Sequence, residues 1–265
     1  MKPGPAIFVS MTASIPFSRS AKTAAKSWGF KPVGFDRTMA ALVVIFILAS
    51  LVLLTQLIKV RTEVDKEMEH LQKAEEVRRT IVEDVVEELE KRSIEVMVAE
   101  NHTVIRIPND VLGFRSGKFS IDDRYLETAR KIGEVLAVVI QKENRVDYLD
   151  TIFIEGHTDN RAFWGAPGKG NWGLSTFRAI SLWEYWGQEI SADLALNNLR
   201  NRDGKPLFSV SGYAETRPVV EDQKTEADYE INRRIDIRIT IRRPAREDYN
   251  ALKGLLGADD ATPEN

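Results

Sequence analysis

Two places in this chain hold residues whose types and spacing could do chemistry. The first is the segment IEGHTDN at residues 154–160, followed by Asn171, Leu174, Ser175 and Arg178. It combines an acid (Asp159), a hydroxyl (Thr158), amides that donate and accept (Asn160, Asn171), and an arginine whose fork can hold a carboxylate bidentately. By residue type alone, Asp159 reads as a loop-capping residue and Arg178 as a helix-surface charge. The second is Asp36, a lone acid just before a long apolar run. It is either a solvated carboxylate beside Arg37 or an ion carrier, since an acid at membrane depth is costly and usually functional. Catalysis has little to draw on, because no nucleophile–base set and no pair of catalytic carboxylates stands out. The absence of cysteine excludes disulfides, thiolate catalysis and cysteine zinc sites, and His70, His102 and His157 share no metal-ligand spacing. The expectation is a protein that is not an enzyme, with no cofactor and no resident metal.

The elements that must position these residues begin with the apolar run. Residues 39–58, MAALVVIFILASLVLLTQLI, carry no charge. A bilayer core needs about 20 such residues as a helix, and a buried core helix of this length would keep a polar face. The run exceeds the roughly 7–15 residues of a signal-peptide core, and no small-x-small cleavage site follows, so an uncleaved anchor is expected. Lys2, Arg19, Lys22, Lys26, Lys31 and Arg37 precede the run against the single acid Asp36, whereas acids dominate after it. The positive-inside rule then gives a single-pass inner-membrane protein with a cytoplasmic N-terminus and a periplasmic C-terminal part. With Pro32 favouring a first helical turn, the span is assigned to residues 31–58 and Asp36 falls about one turn inside it. Residues 1–30 and 247–265 are expected to be flexible tails.

Residues 59–93 are rich in Glu, Lys and Arg and lack Gly and Pro. Apolar residues recur at Leu57, Val60, Val64, Leu71 and Ala74, then after a slip at Val77, Ile81, Val85 and Leu89. This predicts a helical linker, either a single solvated helix or a parallel two-stranded coiled coil. Over residues 94–246, strands and helices alternate. The pattern gives a hairpin through residues 94–107, a helix from Asp122, a strand at 149–154, a helix at 174–190, a strand at 206–211 and a half-buried strand through Ile235, Ile237, Ile239 and Ile241. The fold class is α/β, an α+β sandwich with helices packed on a mixed sheet. The net charge of −3 offers no basic excess for nucleic acid.

Several ordered motifs in residues 104–242 resemble the OmpA-like peptidoglycan-binding domain. They are the segment from Leu112 to Lys118 with its following helix, IEGHTDN, NWGLSTFRA, SVSGYAETRPV and INRRIDIRI. The resemblance implies peptidoglycan as the partner. Its diaminopimelate carries an ammonium and a carboxylate on one carbon, which asks for one acid facing one planar cation. By motif position these are Asp159 and Arg178, with Asn171, Thr158, Asn160 and Leu174 also in the peptidoglycan-binding set. Residues 161–170 are a departure, being longer than the compact loop usual in OmpA, and Phe163 and Trp164 could stack on sugar.

A cytoplasmic tail, one membrane helix, a helical spacer and then this domain is the layout of MotB-like stator subunits. That resemblance implies a set of partners: a homodimer within a ring of MotA-like or ZorA-like membrane subunits, five A to two B, with Asp36 conducting H+ or Na+. Gly34-Phe35-Asp36-Arg37-Thr38-Met39-Ala40 keeps the Asp and Ala positions of flagellar MotB but has Arg37 where an apolar residue is usual. The layout fits a flagellar stator or a Zorya-type phage-defence motor. A passive membrane-to-wall anchor is the alternative.

Overall fold

The computed structural model describes residues 37–115, 117–165 and 169–243. Asp36, the expected tails, residues 31–35 of the expected span and residues 244–246 of the expected domain lie outside the described residues. Helix α1 is Arg37–Glu90. Its residues up to Leu57 belong to one compact unit and those from Ile58 to a second. In the first unit the helix is apolar all round. An 18-residue window reaches a mean hydropathy of 2.8 with none of it buried, and Phe46 is 72% exposed. This helix is long and apolar enough to cross a membrane.

In the second unit a five-stranded sheet carries the helices. The strands are β1 (Met97–Ala99), β2 (Val104–Pro108), β3 (Leu149–His157), β4 (Phe208–Gly212) and β5 (Arg234–Ile241), in the order β1-β2-β5-β3-β4. All neighbours pair antiparallel except β3 and β4, which are parallel. The expected hairpin is β1–β2. Alternation places isoleucines on one face in cross-strand register, Ile107 opposite Ile235, Ile154 opposite Ile237 and Ile152 opposite Ile239. Helices α2 (Leu126–Ile140) and α3 (Gly170–Glu189) bury Ile132, Leu136, Leu182 and Trp186 in the same core. Trp186 satisfies its indole N–H by donating to the Ala129 carbonyl at 2.7 Å.

Three features depart from the expected pattern. Ile81, Val82, Val85 and Leu89 of α1 are fully buried members of the domain core, and Ala74 is buried too. The spacer therefore ends inside the domain, and a coiled-coil seam over these turns is ruled out by that packing. The same turns are dressed with i,i+4 pairs such as Arg79–Glu83 and Lys91–Glu87, so they resemble a solvated helix in sequence. Second, β5 is covered on both faces. Opposite the isoleucines, Arg106 and Arg234 donate to Asp236 at 3.2 and 3.1 Å, and Arg238 donates to Glu155 at 2.8 Å and to Glu100 at 2.6 Å. Buried charges survive when paired in this way. Third, a short helix α4 (Glu226–Asn232) precedes β5, closed by a Thr225–Asp228 capping box. Residues 191–205 hold two short 3-10 turns, Ala192–Leu194 and Leu196–Asn198.

If α1 is part of the core, Leu89→Ala costs about 2–5 kcal/mol, while Glu76→Ala on the exposed side costs less than about 0.5 kcal/mol. Urea unfolding of the chain in detergent, followed by tryptophan fluorescence, measures both. Equal small effects would return α1 to the role of a spacer.

Candidate functional site

The C-terminal end of β3 sits against the start of α3 with no side chain between them. A Cβ on Gly156 would lie 2.0 Å from the Ser175 carbonyl oxygen, and one on Gly212 would lie 2.2 Å from the Thr176 hydroxyl. Ser175 seals the junction by accepting the Ala214 N–H at 3.0 Å. Thr158 donates its N–H to the Ala214 carbonyl at 2.9 Å. The loop after β3 is thereby held over the first turns of α3, where Leu174 and Arg178, four residues apart, share one face.

Between them lies a cavity of about 340 Å³, lined by Thr158, Asp159, Asn171, Leu174 and Arg178 together with Phe114, Phe163, Arg161, Arg233 and Glu226. Five of the six residues expected from the motif thus converge on one cavity. Asn160 does not: its backbone N–H donates to the Gln223 side chain at 3.0 Å, and the residue lines a neighbouring cavity instead. Asn171 spends its amide N–H groups on the loop, donating to the Arg161 carbonyl at 3.0 Å and the Asp159 carbonyl at 3.4 Å. Thr158 is buried, and its hydroxyl has no partner among the described residues.

The two charged residues are in different states. Asp159 is saturated. It accepts from the Arg161 backbone N–H at 3.0 Å, the Arg161 guanidinium at 2.7 Å and the Arg233 guanidinium at 2.8 Å. Burial pushes its carboxyl up, but the hydrogen bonds from Arg161 and Arg233 outweigh that and hold it below its ordinary value. Glu226 clamps the same two arginines at 3.0 and 2.8 Å, and Arg161 lies over the Tyr229 ring at 4.3 Å. Arg178 is 4% exposed, and its Nε donates to the Lys118 carbonyl at 3.1 Å. Its guanidinium sits 5.2 Å from the Phe114 ring centre. Among the described residues no carboxylate forms an ion pair with it. Burial and then Arg233 push its pKa down to about 10, so it remains a cation at neutral pH. Three arginines against two carboxylates give the cavity a positive balance, suited to an anion.

Arg161 and Glu226 were beyond the motifs, whereas Arg233 and Arg234 read in sequence equally as lining the groove or as pairing with Asp236 or Glu230. Arg233 belongs to the INRR stretch, but its neighbour Arg234 is buried against Asp236, and residue type does not separate the two. His157, within the motif, is structural. It stacks on Tyr213 at 5.4 Å, and burial followed by Arg234 pushes its pKa down to about 2, so it is neutral. Glu155, His157 and Asp236 could together offer ligands to a metal ion. Both carboxylates are already bonded to arginines, and that positive surround repels a cation.

No family model matches the chain. A curated relative, the uncharacterized protein YtxE of Bacillus subtilis, is 27% identical over 136 residues, covering 51% of this chain and 48% of its own length. The chain thus spans about half the length of that relative. Similar solved structures include a MotB-like protein from Desulfovibrio vulgaris, 19% identical with a TM-score of 0.47, covering 64% of this chain and 98% of that one. The periplasmic domain of Helicobacter pylori MotB is 18% identical with a TM-score of 0.42, covering 60% and 85%. The cell wall anchor of the T6SS from Pseudomonas aeruginosa is 21% identical with a TM-score of 0.42, covering 62% and 99%.

The depressed Asp159 carboxyl has a consequence for stability. Its ion pairs contribute fully above the unfolded-state pKa near 3.8 and are lost as pH falls through the lower folded value. The stability gap between the parent chain and Asp159→Asn therefore shrinks as pH is lowered from 5 to 2. Urea midpoints across that range test it, and a gap independent of pH would exclude ionised Asp159 as its source.

Proposed function

We propose that the chain is a membrane-anchored peptidoglycan-binding protein and that this cavity takes the free end of a diaminopimelate side chain. The observation that carries the reading is Arg178, a buried arginine facing a cavity with no carboxylate of its own. An uncompensated buried cation is costly, and a ligand carboxylate held by its fork relieves that cost. The unpartnered Thr158 hydroxyl is a second contact. A ligand ammonium would meet Asp159 by competing with Arg161 or Arg233, both of which also have Glu226 to fall back on. The cavity binds rather than cleaves, because its carboxylates are all engaged by guanidinium groups.

Arg178→Ala and Asp159→Ala each reduce co-sedimentation with purified peptidoglycan by roughly 30-fold or more, the scale for removing one partner of a buried charge pair. Arg178→Lys falls between, since an ammonium lacks the bidentate fork. Undiminished sedimentation of both alanine variants would refute the assignment.

In the fuller reading the chain is the B subunit of a MotA/MotB-like ion-driven motor in the bacterial inner membrane, flagellar or of Zorya type. Two copies work with five A-type subunits, and Asp36 carries H+ or Na+ while the periplasmic domain holds the wall. An apolar helix in the first unit and the MotB-like spacing of Asp36 and Ala40 support it. Neutralising a carboxylate lowers its cost at membrane depth, which couples ion binding to movement. The second reading, a passive anchor, is favoured by Arg37, a cation adjoining the proposed carrier. Asp36→Asn separates them. Ion flux in cells co-expressing the A-type partner is abolished while peptidoglycan sedimentation persists, and flux that survives the substitution leaves the passive anchor.

A further inference from the structure

A second cavity, of about 390 Å³, adjoins the first and shares Ala162, Phe163 and Asn171 with it as a common wall. Its volume is that of a small-molecule site. Two tryptophans line it, Trp164 at 92% exposure and Trp172 at 53%. Indoles so open to water are unusual on a soluble domain and mark contact surfaces. Trp164 comes from the long loop after β3 and Trp172 from the first turn of α3, so two separate elements place an indole at this cavity. Its polar lining combines an acid, a base and two amides. Glu215 contributes a carboxylate whose Oε2 is buried without a partner among the described residues, and Asn160, Lys169 and Asn171 stand beside it.

This combination suits a sugar ring. The C–H faces of a pyranose are weakly positive and pack on the negative face of an indole, while its hydroxyl and acetamido groups bond to carboxylate and amide side chains. A free carboxylate oxygen accepts from hydroxyl or amide N–H groups and has no use for a purely apolar guest. The shared wall decides the source of the sugar. A stem peptide seated in the Arg178 cavity is covalently joined to an amino-sugar strand, and the cavity that adjoins the first is the one such a sugar can reach.

We propose that Trp164, Trp172 and Glu215 form a glycan subsite that binds the amino-sugar backbone of the same peptidoglycan whose stem peptide occupies the Arg178 cavity. The proposal rests on the peptidoglycan reading and extends it from peptide to glycan. The long loop after β3, read as an insertion in the sequence, is then a recognition element.

Calorimetric titration of the full chain in detergent tests this with two probes, a stem tripeptide ending in diaminopimelate and the same tripeptide carried on its disaccharide. The disaccharide form binds about tenfold tighter, the scale of one or two aromatic contacts. The double variant Trp164→Ala/Trp172→Ala erases that advantage, leaves tripeptide affinity unchanged, and keeps the urea midpoint of the parent. Glu215→Gln removes part of the advantage. Equal affinity of the parent chain for the two probes, or an advantage that survives the double variant, overturns the subsite. Binding of the disaccharide form alone, still dependent on the tryptophans, upholds the subsite and refutes the peptide pocket. Binding of neither probe refutes both.

Discussion

Backbone meets backbone where β3 ends and α3 begins, and the site is organised around that contact. Gly156 and Gly212 present no side chain to Ser175 and Thr176, so the helix sits directly on the ends of two parallel strands. A larger residue at either glycine would push α3 outward and carry Leu174 and Arg178 away from the loop that holds Asp159. The hydroxyl of Ser175 then locks the neighbouring strand-end loop at Ala214, which in turn fixes Thr158.

The domain handles buried charge in two ways within a short distance. On the sheet face, Arg106, Arg234 and Arg238 meet Asp236 and Glu155 in a closed ladder, with His157 held neutral among them. Such a ladder is costly to break and has nothing left to offer a ligand. At the end of β3 the arrangement is left incomplete. Asp159 and Glu226 are bound by Arg161 and Arg233, while Arg178 remains a cation without a carboxylate. The difference between framework and binding site is one missing counter-charge.

Much of this was visible in the amino-acid order. Period-two isoleucines gave the core face of β5, the hairpin turn separated β1 from β2, and the resemblance of IEGHTDN and NWGLSTFRA to OmpA-like motifs pointed to six residues, of which Thr158, Asp159, Asn171, Leu174 and Arg178 share a cavity and Asn160 does not. What escaped was whatever depends on pairing in space. Arg233 and Arg234 are adjacent and alike in type, yet one faces the cavity and the other is buried in the ladder. The charged face of β5 looked solvent-facing because paired and hydrated charges are written with the same letters. The last turns of α1 looked like a spacer although their apolar stripe at Ile81, Val85 and Leu89 is plain in the sequence, because periodicity does not say whether a second helix or the domain core covers it. Helix α4 was short enough to miss, although Thr225 and Asp228 carried its capping signature.

That apolar stripe bears on how the molecule carries load. Tension entering the folded domain along the last turns of α1 does not act on a loose hinge. Ile81, Val82, Val85 and Leu89 are seated in the core, with Asp84 clamped to Arg145 at 2.8 Å. To pull the helix free, a force must extract all four side chains and break that clamp together, so the yield point is that of the hydrophobic core. A helix seated this way is stiff up to the force at which the domain itself gives way.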